Sequence, residues 1–440
     1  MESNLLIGVL GLGALIGLIA LRMPIAYAMI LVGAAGVSIL SGPNIVLAQL
    51  KDLAYAQFSI YDLSVVPMFV LMGNIATRAG LSGDLFRAAN AWLGWMRGGV
   101  AMAAIAACAG FGAVCGSSLA TASTMGQVAL PELRRYRYSP VLATGTIAAG
   151  GVLGILIPPS VVLVIYAIIV EANIITMFIA AFIPGLIAVA LFMLTIAVYV
   201  AVRPQAGPRG ERVTAAELRA ATLGISPVAL IFGLVIGGIY LGVFNPTPAA
   251  AIGAFLVAIY GFARKRVGLA GFRQSLLQTA RTTGMIYLIL LGAELLKIFL
   301  SRGGVPMAAA DLMISSGLSP YMILVLLLIA LIVLGCLMDS LSMILLAIPF
   351  FWPVISGMDF GMDEETLKIW FGIIALIVVE LGLITPPVGM NVFVINAFSP
   401  DVPMRQTFLG VMPFFAAELL RVALIVAFPG IVLFLPQLLS

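Results

Sequence analysis

Long apolar segments separated by short polar ones run along almost the entire chain. Seven come first, at approximately 4–21, 24–42, 62–78, 99–115, 117–133, 139–170 and 173–202. After a polar stretch at 204–220, seven more lie at approximately 224–243, 247–263, 281–301, 319–335, 338–355, 366–398 and 407–437. A membrane-spanning helix needs roughly 20 predominantly apolar residues, so the pattern predicts an all-α polytopic membrane protein.

The two series of segments match each other in order. Each has three helices, an amphipathic segment (82–99 or 303–320), a pair of short apolar segments with a polar tip, a long interrupted segment, and a closing helix that starts near Pro184 or Pro413. The interruption reads Gly-x-x-x-Pro-Pro both times, at 154–159 and 382–387, an offset of 228 residues. This indicates an internal repeat.

The repeat predicts a domain organisation. The first half is expected at 1–203, a linker at 204–220 and the second half at 221–440. Scaffold helices extend to about 78 and about 301, each followed by an arm helix. Hairpins are predicted at 99–133 and 319–355, broken helices at 139–170 and 366–398, and closing helices at 173–202 and 407–437.

Composition strengthens the membrane assignment and excludes several enzyme classes. Of 440 residues, 63% are hydrophobic and 9% charged, against about 25% charged in soluble proteins. The absence of histidine excludes Ser-His-Asp triads and the H-E-x-x-H zinc motif. The three cysteines, Cys108, Cys115 and Cys336, form no C-x-x-C pair and are expected in the core. We therefore predict no enzymatic activity and no cofactor.

Charge distribution predicts the orientation of the spans. Basic residues cluster at 134–137, 203–219 and 264–266, whereas the main acidic loop is 359–365. Because positively charged loops remain in the cytoplasm, the first hairpin should enter the membrane from the cytoplasmic side and the second from the opposite side. Both termini are then expected outside, and the halves are inverted relative to each other. Inverted repeats with discontinuous helices are typical of secondary transporters.

The paired prolines should break both long segments within the membrane. Pro158 and Pro159, like Pro386 and Pro387, remove backbone donors and interrupt the helix. A break leaves polar backbone groups that must be satisfied inside the protein, and in transporters the freed carbonyls coordinate Na⁺. An ordinary proline kink is the alternative for either break alone, but two breaks at matching positions favour a binding site.

The hairpin tips carry further oxygen donors. Ser117 and Ser118 lie at the first tip, and Asp339 and Ser340 at the second. For these serines we favour a site, whereas Thr121 and Ser123 could equally bond to their own helix. Asp339 could ligate a cation or cap the following helix. Glu380 is expected to brace the second break through backbone donors. Two i,i+3 pairs are expected to neutralise each other, Glu294 with Lys297 and Glu418 with Arg421.

Over essentially its whole length, the sequence resembles the large membrane subunit of tripartite ATP-independent periplasmic (TRAP) transporters of the dicarboxylate type. The stretches "GAVCGSSLATAS", "LGCLMDSLSM" and "ELGLITPPVGMNVFV" carry the resemblance. It implies an elevator-type carrier that imports a small organic acid, such as a C4-dicarboxylate or sialic acid, with Na⁺ as the coupling ion. It also implies two partners, a small four-helix membrane subunit and a periplasmic substrate-binding protein, and a location in the bacterial inner membrane.

The resemblance also implies site residues. One Na⁺ would bind between the first tip and the first break, at Ser117, Ser118, Gly154 and Pro158. A second would bind between the second tip and the second break, at Asp339, Ser340, Gly382 and Thr385. Substrate would lie between the tips, near Ser118, Ser160, Ser340 and Asn391.

Three rival functions are considered. A stand-alone Na⁺/carboxylate symporter would share the hairpins and the repeats, and transport without a binding protein would identify it. An intramembrane aspartyl protease would require two facing aspartates, whereas Asp339 is the one found well inside an apolar segment. A channel fits less well, because two paired breaks suit occlusion better than a continuous pore.

Overall fold

The computed structural model describes residues 2–315 and 317–439, which fold into α-helices joined by short turns. The first half contains α1 (Glu2–Ala20), α2 (Ile25–Ser41), α3 (Pro43–Phe58), α4 (Val65–Arg78), α5 (Leu81–Leu93), α6 (Gly99–Cys115), α7 (Ser118–Arg135), α8 (Pro140–Leu156), α9 (Val161–Val170) and α10 (Ile174–Val202). The second contains α11 (Ala215–Tyr240), α12 (Pro246–Ala263), α13 (Leu269–Arg302), α14 (Val305–Ser315), α15 (Pro320–Gly335), α16 (Ser340–Ser356), α17 (Glu364–Gly382), α18 (Met390–Ala397), α19 (Met404–Ala427) and α20 (Gly430–Leu439).

The prediction of an all-helical membrane protein is confirmed. Within the described residues, six helices are long and apolar enough to span a membrane, or eight if two bent pairs each count as one span. Those pairs bend by 62° between α3 and α4 and by 46° between α8 and α9. Residues 1 and 440 at the predicted domain ends, and Ser316 in the second amphipathic segment, lie outside the described residues.

Several predicted boundaries are wrong. The predicted segments omit helix α3, because polar residues, among them Lys51 and Asp52, interrupt the apolar pattern of 43–58. The last predicted helix, 407–437, is two helices that separate at Phe428 and Pro429. Pro184 and Pro413 lie inside α10 and α19 rather than near their starts. The linker is shorter than 204–220, because Thr214 caps α11 through a reciprocal bond with Glu217.

The helices pack in two groups. The predicted scaffold helices contact one another, with α13 against α2 and α4, α12 against α4, and α1 against α2. The two hairpins, α6–α7 and α15–α16, pack with the interrupted segments α8–α9 and α17–α18. The functional residues predicted from the sequence belong to this second group, so the scaffold group forms the wall that faces them.

The loops that carry the basic clusters are held by hydrogen bonds to neighbouring turns. Arg266 donates to Asp84 (2.5 Å) and to the Ala79 carbonyl (3.0 Å). In the linker, the Gly207 carbonyl accepts from Gly98 N (3.0 Å) and the Ala206 carbonyl accepts from Ser139 N (2.9 Å). These contacts join the linker, with its basic cluster at 203–219, to the loop that follows the cluster at 134–137, whereas the cluster at 264–266 is bonded to the turn between α4 and α5.

One ion pair lies deep between the closing helices. Arg421 and Glu418, both on α19, are at most 1% exposed and bond to each other, and Arg421 Nη1 also donates to the Pro184 carbonyl of α10 at 3.0 Å. Two of their polar atoms, Glu418 Oε1 and Arg421 Nε, have no partner among the described residues. The predicted Glu294–Lys297 pair also forms, at 3.5 Å. Both pairs predicted from i,i+3 spacing are therefore confirmed.

Candidate functional site

The first hairpin tip is a two-residue turn between α6 and α7. Gly116 ends α6 in the left-handed region (φ 63°), a conformation that favours glycine. Ser117 then caps α7, with its Oγ accepting from Ala120 N at 3.4 Å. The next residue, Ser118, is buried at the first position of α7. Local capping chemistry therefore places both predicted serines at the tip.

The second tip uses a carboxylate where the first uses a hydroxyl. Asp339 caps α16, accepting from Ser342 N (3.1 Å) and from Ser342 Oγ (2.5 Å). Ser340 follows it at the first position of α16 and is buried. Of the two roles left open for Asp339, the structure shows the capping one; its role as a cation ligand remains a prediction.

The first break is short and buried. It covers residues 157–160, with a cis bond between Pro158 and Pro159. Gly154 lies in the last turn of α8 and not in the break, because the helix continues to Leu156. Ser160 caps α9, its Oγ accepting from Leu163 N at 3.3 Å.

The second break is longer and more open. It covers residues 383–389, and its cis-linked prolines, Pro386 and Pro387, are exposed. Gly382 is the last residue of α17. Thr385 Oγ1 donates back to the Leu381 carbonyl at 2.6 Å. The two breaks therefore share a sequence pattern but differ in length and exposure.

Each tip lies directly against the break of its own half. A Cβ atom built on Gly154 would lie 2.5 Å from Thr121 Oγ1 and 2.7 Å from the Ser117 carbonyl oxygen. One built on Gly382 would lie 2.5 Å from the carbonyl carbon of Gly335, at the end of α15. The motif glycines are therefore needed for close backbone approach, which a larger residue would prevent.

Glu380 joins the two tips. It is completely buried on α17, and its two carboxyl oxygens accept from Ser118 Oγ and from Ser340 Oγ. The expectation that Glu380 would be held by backbone donors is therefore wrong, since hydroxyls of both hairpins occupy its oxygens. A lone carboxylate two residues before Gly382 was visible in the sequence, but its partners depend on tertiary packing.

A cavity of about 390 Å³ separates the tips from the scaffold helices. Ser117, Ser118, Asp339 and Ser340 line one side of it, and the opposite wall comes from α4 and α13. Among the described residues that line it, Asp339 carries the only charge. The scaffold wall contributes polar side chains that the sequence analysis did not identify: Asn74, Gln278 and Thr282.

The donors at the tips fit a hard cation such as Na⁺. Thr121 Oγ1 is buried next to Gly154 and has no hydrogen-bond partner among the described residues. Asn391 is buried as well; its Nδ2 donates to the Ala148 carbonyl (3.4 Å), while its Oδ1 has no partner there. Unpaired buried oxygens are costly and call for a ligand or water. Oxygen donors suit hard cations such as Na⁺, whereas sulfur ligands suit soft metal ions.

The structure brings most of the predicted residues together. Both tips line one cavity, and each predicted break contacts its tip. Ser160 and Asn391, predicted to contact substrate, are buried and are not among the cavity-lining residues. Pro158 is buried within the first break.

Comparison with known proteins gives consistent matches. The family model described as "Tripartite ATP-independent periplasmic transporter, DctM component" matches residues 12–431. The chain is 35% identical over 378 residues to the C4-dicarboxylate TRAP transporter large permease protein DctM of Pseudomonas aeruginosa, covering 86% of each chain. It is 30% identical over 430 residues to the sialic acid TRAP transporter large permease protein SiaM of Vibrio cholerae, covering 96% of this chain and 97% of that one.

A solved structure shares the fold. The YdaH transporter of Alcanivorax borkumensis superimposes with a TM-score of 0.65 at 14% sequence identity, covering 88% of this chain and 89% of that one. At this identity the similarity concerns the fold alone.

Proposed function

The chain belongs to the DctM family of tripartite ATP-independent periplasmic transporter permeases, and from this premise we propose that it imports a small organic acid coupled to Na⁺. The names of the two relatives mention C4-dicarboxylates and sialic acid, and both kinds of compound are carboxylates. We propose a substrate of that class, delivered by a periplasmic binding protein to a complex with a small membrane subunit.

The charge of the cavity carries the proposal of Na⁺ coupling. An anionic substrate would enter a cavity that already contains a negative side chain. Among the described residues that line it, Asp339 is the only charged one. An unpaired charge in a low-dielectric site is expensive, so cations must accompany the anion. Two Na⁺ would balance the two charges of a dicarboxylate, not counting Asp339, and each further cation carried with the substrate would add about 2.3 kcal/mol of driving force per 100 mV of membrane potential.

We assign these cations to the tip–break contacts. One site would use Ser117, Ser118 and main-chain oxygens around Gly154 and Pro158. The other would use Asp339, Ser340 and main-chain oxygens around Gly382, with Thr385. Substrate would occupy the cavity next to both tips, near Ser118 and Ser340, with Ser160 and Asn391 buried behind its lining residues.

An elevator mechanism agrees with the packing. The hairpins and broken helices would move as one body against the scaffold, in two inverted halves. The basic clusters at 134–137, 203–219 and 264–266 support a cytoplasmic assignment for the loops near Arg78, Ser139, Gly207 and Arg266, with both termini in the periplasm of an inner-membrane protein. Alkaline phosphatase fused to the C-terminus should therefore be active, whereas a fusion at Gly207 should be inactive.

Reconstitution tests the transport proposal directly. Proteoliposomes containing this chain and its small subunit should accumulate labelled dicarboxylate or sialic acid only with an inward Na⁺ gradient and with the binding protein outside. Uptake that is unchanged when K⁺ replaces Na⁺ would refute Na⁺ coupling. Uptake without the binding protein would instead identify a stand-alone symporter.

A further inference from the structure

A single carboxyl group holds the hydroxyl groups of both hairpin tips. Ser118 starts α7 and Ser340 starts α16, yet each donates to one oxygen of Glu380. All three side chains are at most 4% exposed. The two serines also line the cavity, so their remaining lone pairs are available on that side.

Hydroxyl chemistry restricts what these serines can do for a ligand. A serine hydroxyl has one proton to donate and two lone pairs to accept with. In the structure each serine donates its one proton to a different oxygen of Glu380, and a carboxyl group accepts at both oxygens in this way as a carboxylate. In that arrangement each serine can offer only lone pairs to anything else. A cation needs lone pairs, whereas the carboxylate of a substrate needs donors. For Ser118 and Ser340, the sequence resemblance implies both Na⁺ binding and substrate binding, and this arrangement favours the first role over the second.

We infer that Glu380 acts as a carboxylate and as a positioning residue that turns the hydroxyl protons of Ser118 and Ser340 away from the cavity, so that both serines act as cation ligands and not as donors to the substrate. The inference rests on the proposed Na⁺ coupling. Because one carboxyl group orients both tips, disturbing it affects both Na⁺ sites at once.

The variant Glu380→Gln tests this inference. An amide has one accepting oxygen and a donating NH₂ group, so one serine would have to accept from it and turn its own proton towards the cavity. In the complex with the small subunit, the Na⁺ concentration for half-maximal thermal stabilisation, measured without substrate, should rise at least tenfold. The substrate concentration for half-maximal uptake at saturating Na⁺ should change less than twofold.

A matched control comes from the same helix. Glu364→Gln makes the same chemical change on α17 at a side chain that is 69% exposed and pairs with Lys368 at 3.2 Å. It should leave both half-maximal concentrations unchanged. Ser118→Ala should raise the Na⁺ requirement like Glu380→Gln, and the two changes together should cost less than the sum of the single effects, because they remove one shared arrangement.

The outcomes are distinguishable. If the wild-type complex neither binds nor requires Na⁺, the proposed function and this inference both fail. If wild-type uptake requires Na⁺ but Glu380→Gln keeps the wild-type Na⁺ requirement, or raises the substrate requirement instead, this inference alone fails. If Glu380→Gln does not fold, Ser118→Ala and Ser340→Ala test the inference instead. It is overturned if these serine variants need more substrate for half-maximal uptake but no more Na⁺ than the wild type.

Discussion

Replacing Gly154 by alanine should weaken the proposed Na⁺ binding by forcing the first tip away from the first break. The added Cβ would lie 2.5 Å from Thr121 Oγ1 and 2.7 Å from the Ser117 carbonyl oxygen, where ordinary contact begins at 3.4 Å. The threonine hydroxyl can rotate away. The carbonyl oxygen belongs to the main chain, and it also accepts from Thr121 N at 3.0 Å, so the first turn of α7 must move with it.

The size of the effect follows from that displacement. Moving the carbonyl oxygen from 2.7 Å to 3.4 Å shifts the tip by about 0.7 Å, whereas metal–ligand distances tolerate roughly 0.2 Å. Overpacking a tight contact costs about 1–3 kcal/mol. We expect the Na⁺ concentration for half-maximal stabilisation to rise at least tenfold, which corresponds to about 1.4 kcal/mol.

Na⁺ titration of the thermal midpoint, followed by Na⁺-driven uptake, measures this. Gly233→Ala on α11 is the control, because a Cβ there meets nothing within 4 Å. The reasoning is refuted if Gly154→Ala produces normal amounts of folded protein whose Na⁺ requirement stays within twofold of the wild type.

Three further predictions concern stability. Arg421→Met should lower the unfolding free energy by about 3–5 kcal/mol, because it leaves the Glu418 carboxylate buried and unpaired. Adding Glu418→Leu should recover much of that loss. A double variant that is no more stable than Arg421→Met alone would contradict this. Burial raises the pKa of Asp84, but hydrogen bonds from its arginine partners outweigh burial and hold the pKa below its ordinary value. Arg266→Ala should therefore lower the thermal midpoint at pH 7, and the difference from wild type should shrink below about pH 4, as Asp84 becomes protonated; a constant difference down to pH 3 would exclude that origin. Ser160→Ala should lower the unfolding free energy by about 1 kcal/mol, because it removes the cap of α9. The substrate concentration for half-maximal uptake should change little. A large rise in that concentration would instead show that Ser160 contacts the substrate directly.

Sequence reasoning located the hairpins well because their limits are set by local chemistry. The predicted first segment of the first hairpin, 99–115, coincides with α6, and 117–133 is within two residues of α7. Glycine in the left-handed region and side-chain caps at Ser117 and Asp339 are readable from neighbouring residues. Helix α3 has no such apolar run, and only Pro43 at its start signalled it.

The partners of buried polar groups could not be predicted in the same way. Glu380 lies 262 residues from Ser118 along the chain, and nothing in either neighbourhood specifies that contact. The same is true of Asn74, which donates to Thr279 Oγ1 on α13 at 2.9 Å on the wall facing the tips. Such pairings depend on how helices from both halves pack, which hydrophobic periodicity does not encode.

The linker between α10 and α11 is bonded to other parts of the protein along most of its length. Gly210 N bonds to the Gly94 carbonyl at 2.9 Å, and the guanidinium of Arg212 lies 5.9 Å from the centre of the Trp95 ring. Two residues later Thr214 already caps α11, a scaffold helix. The linker is therefore bonded to the loops that lead into α6 and α8 at one end and joined to α11 at the other. In the proposed elevator mechanism, the length of the linker would limit how far the hairpin group can move against the scaffold helices. A glycine insertion at Val213 would then lengthen that movement, and a deletion there would shorten it.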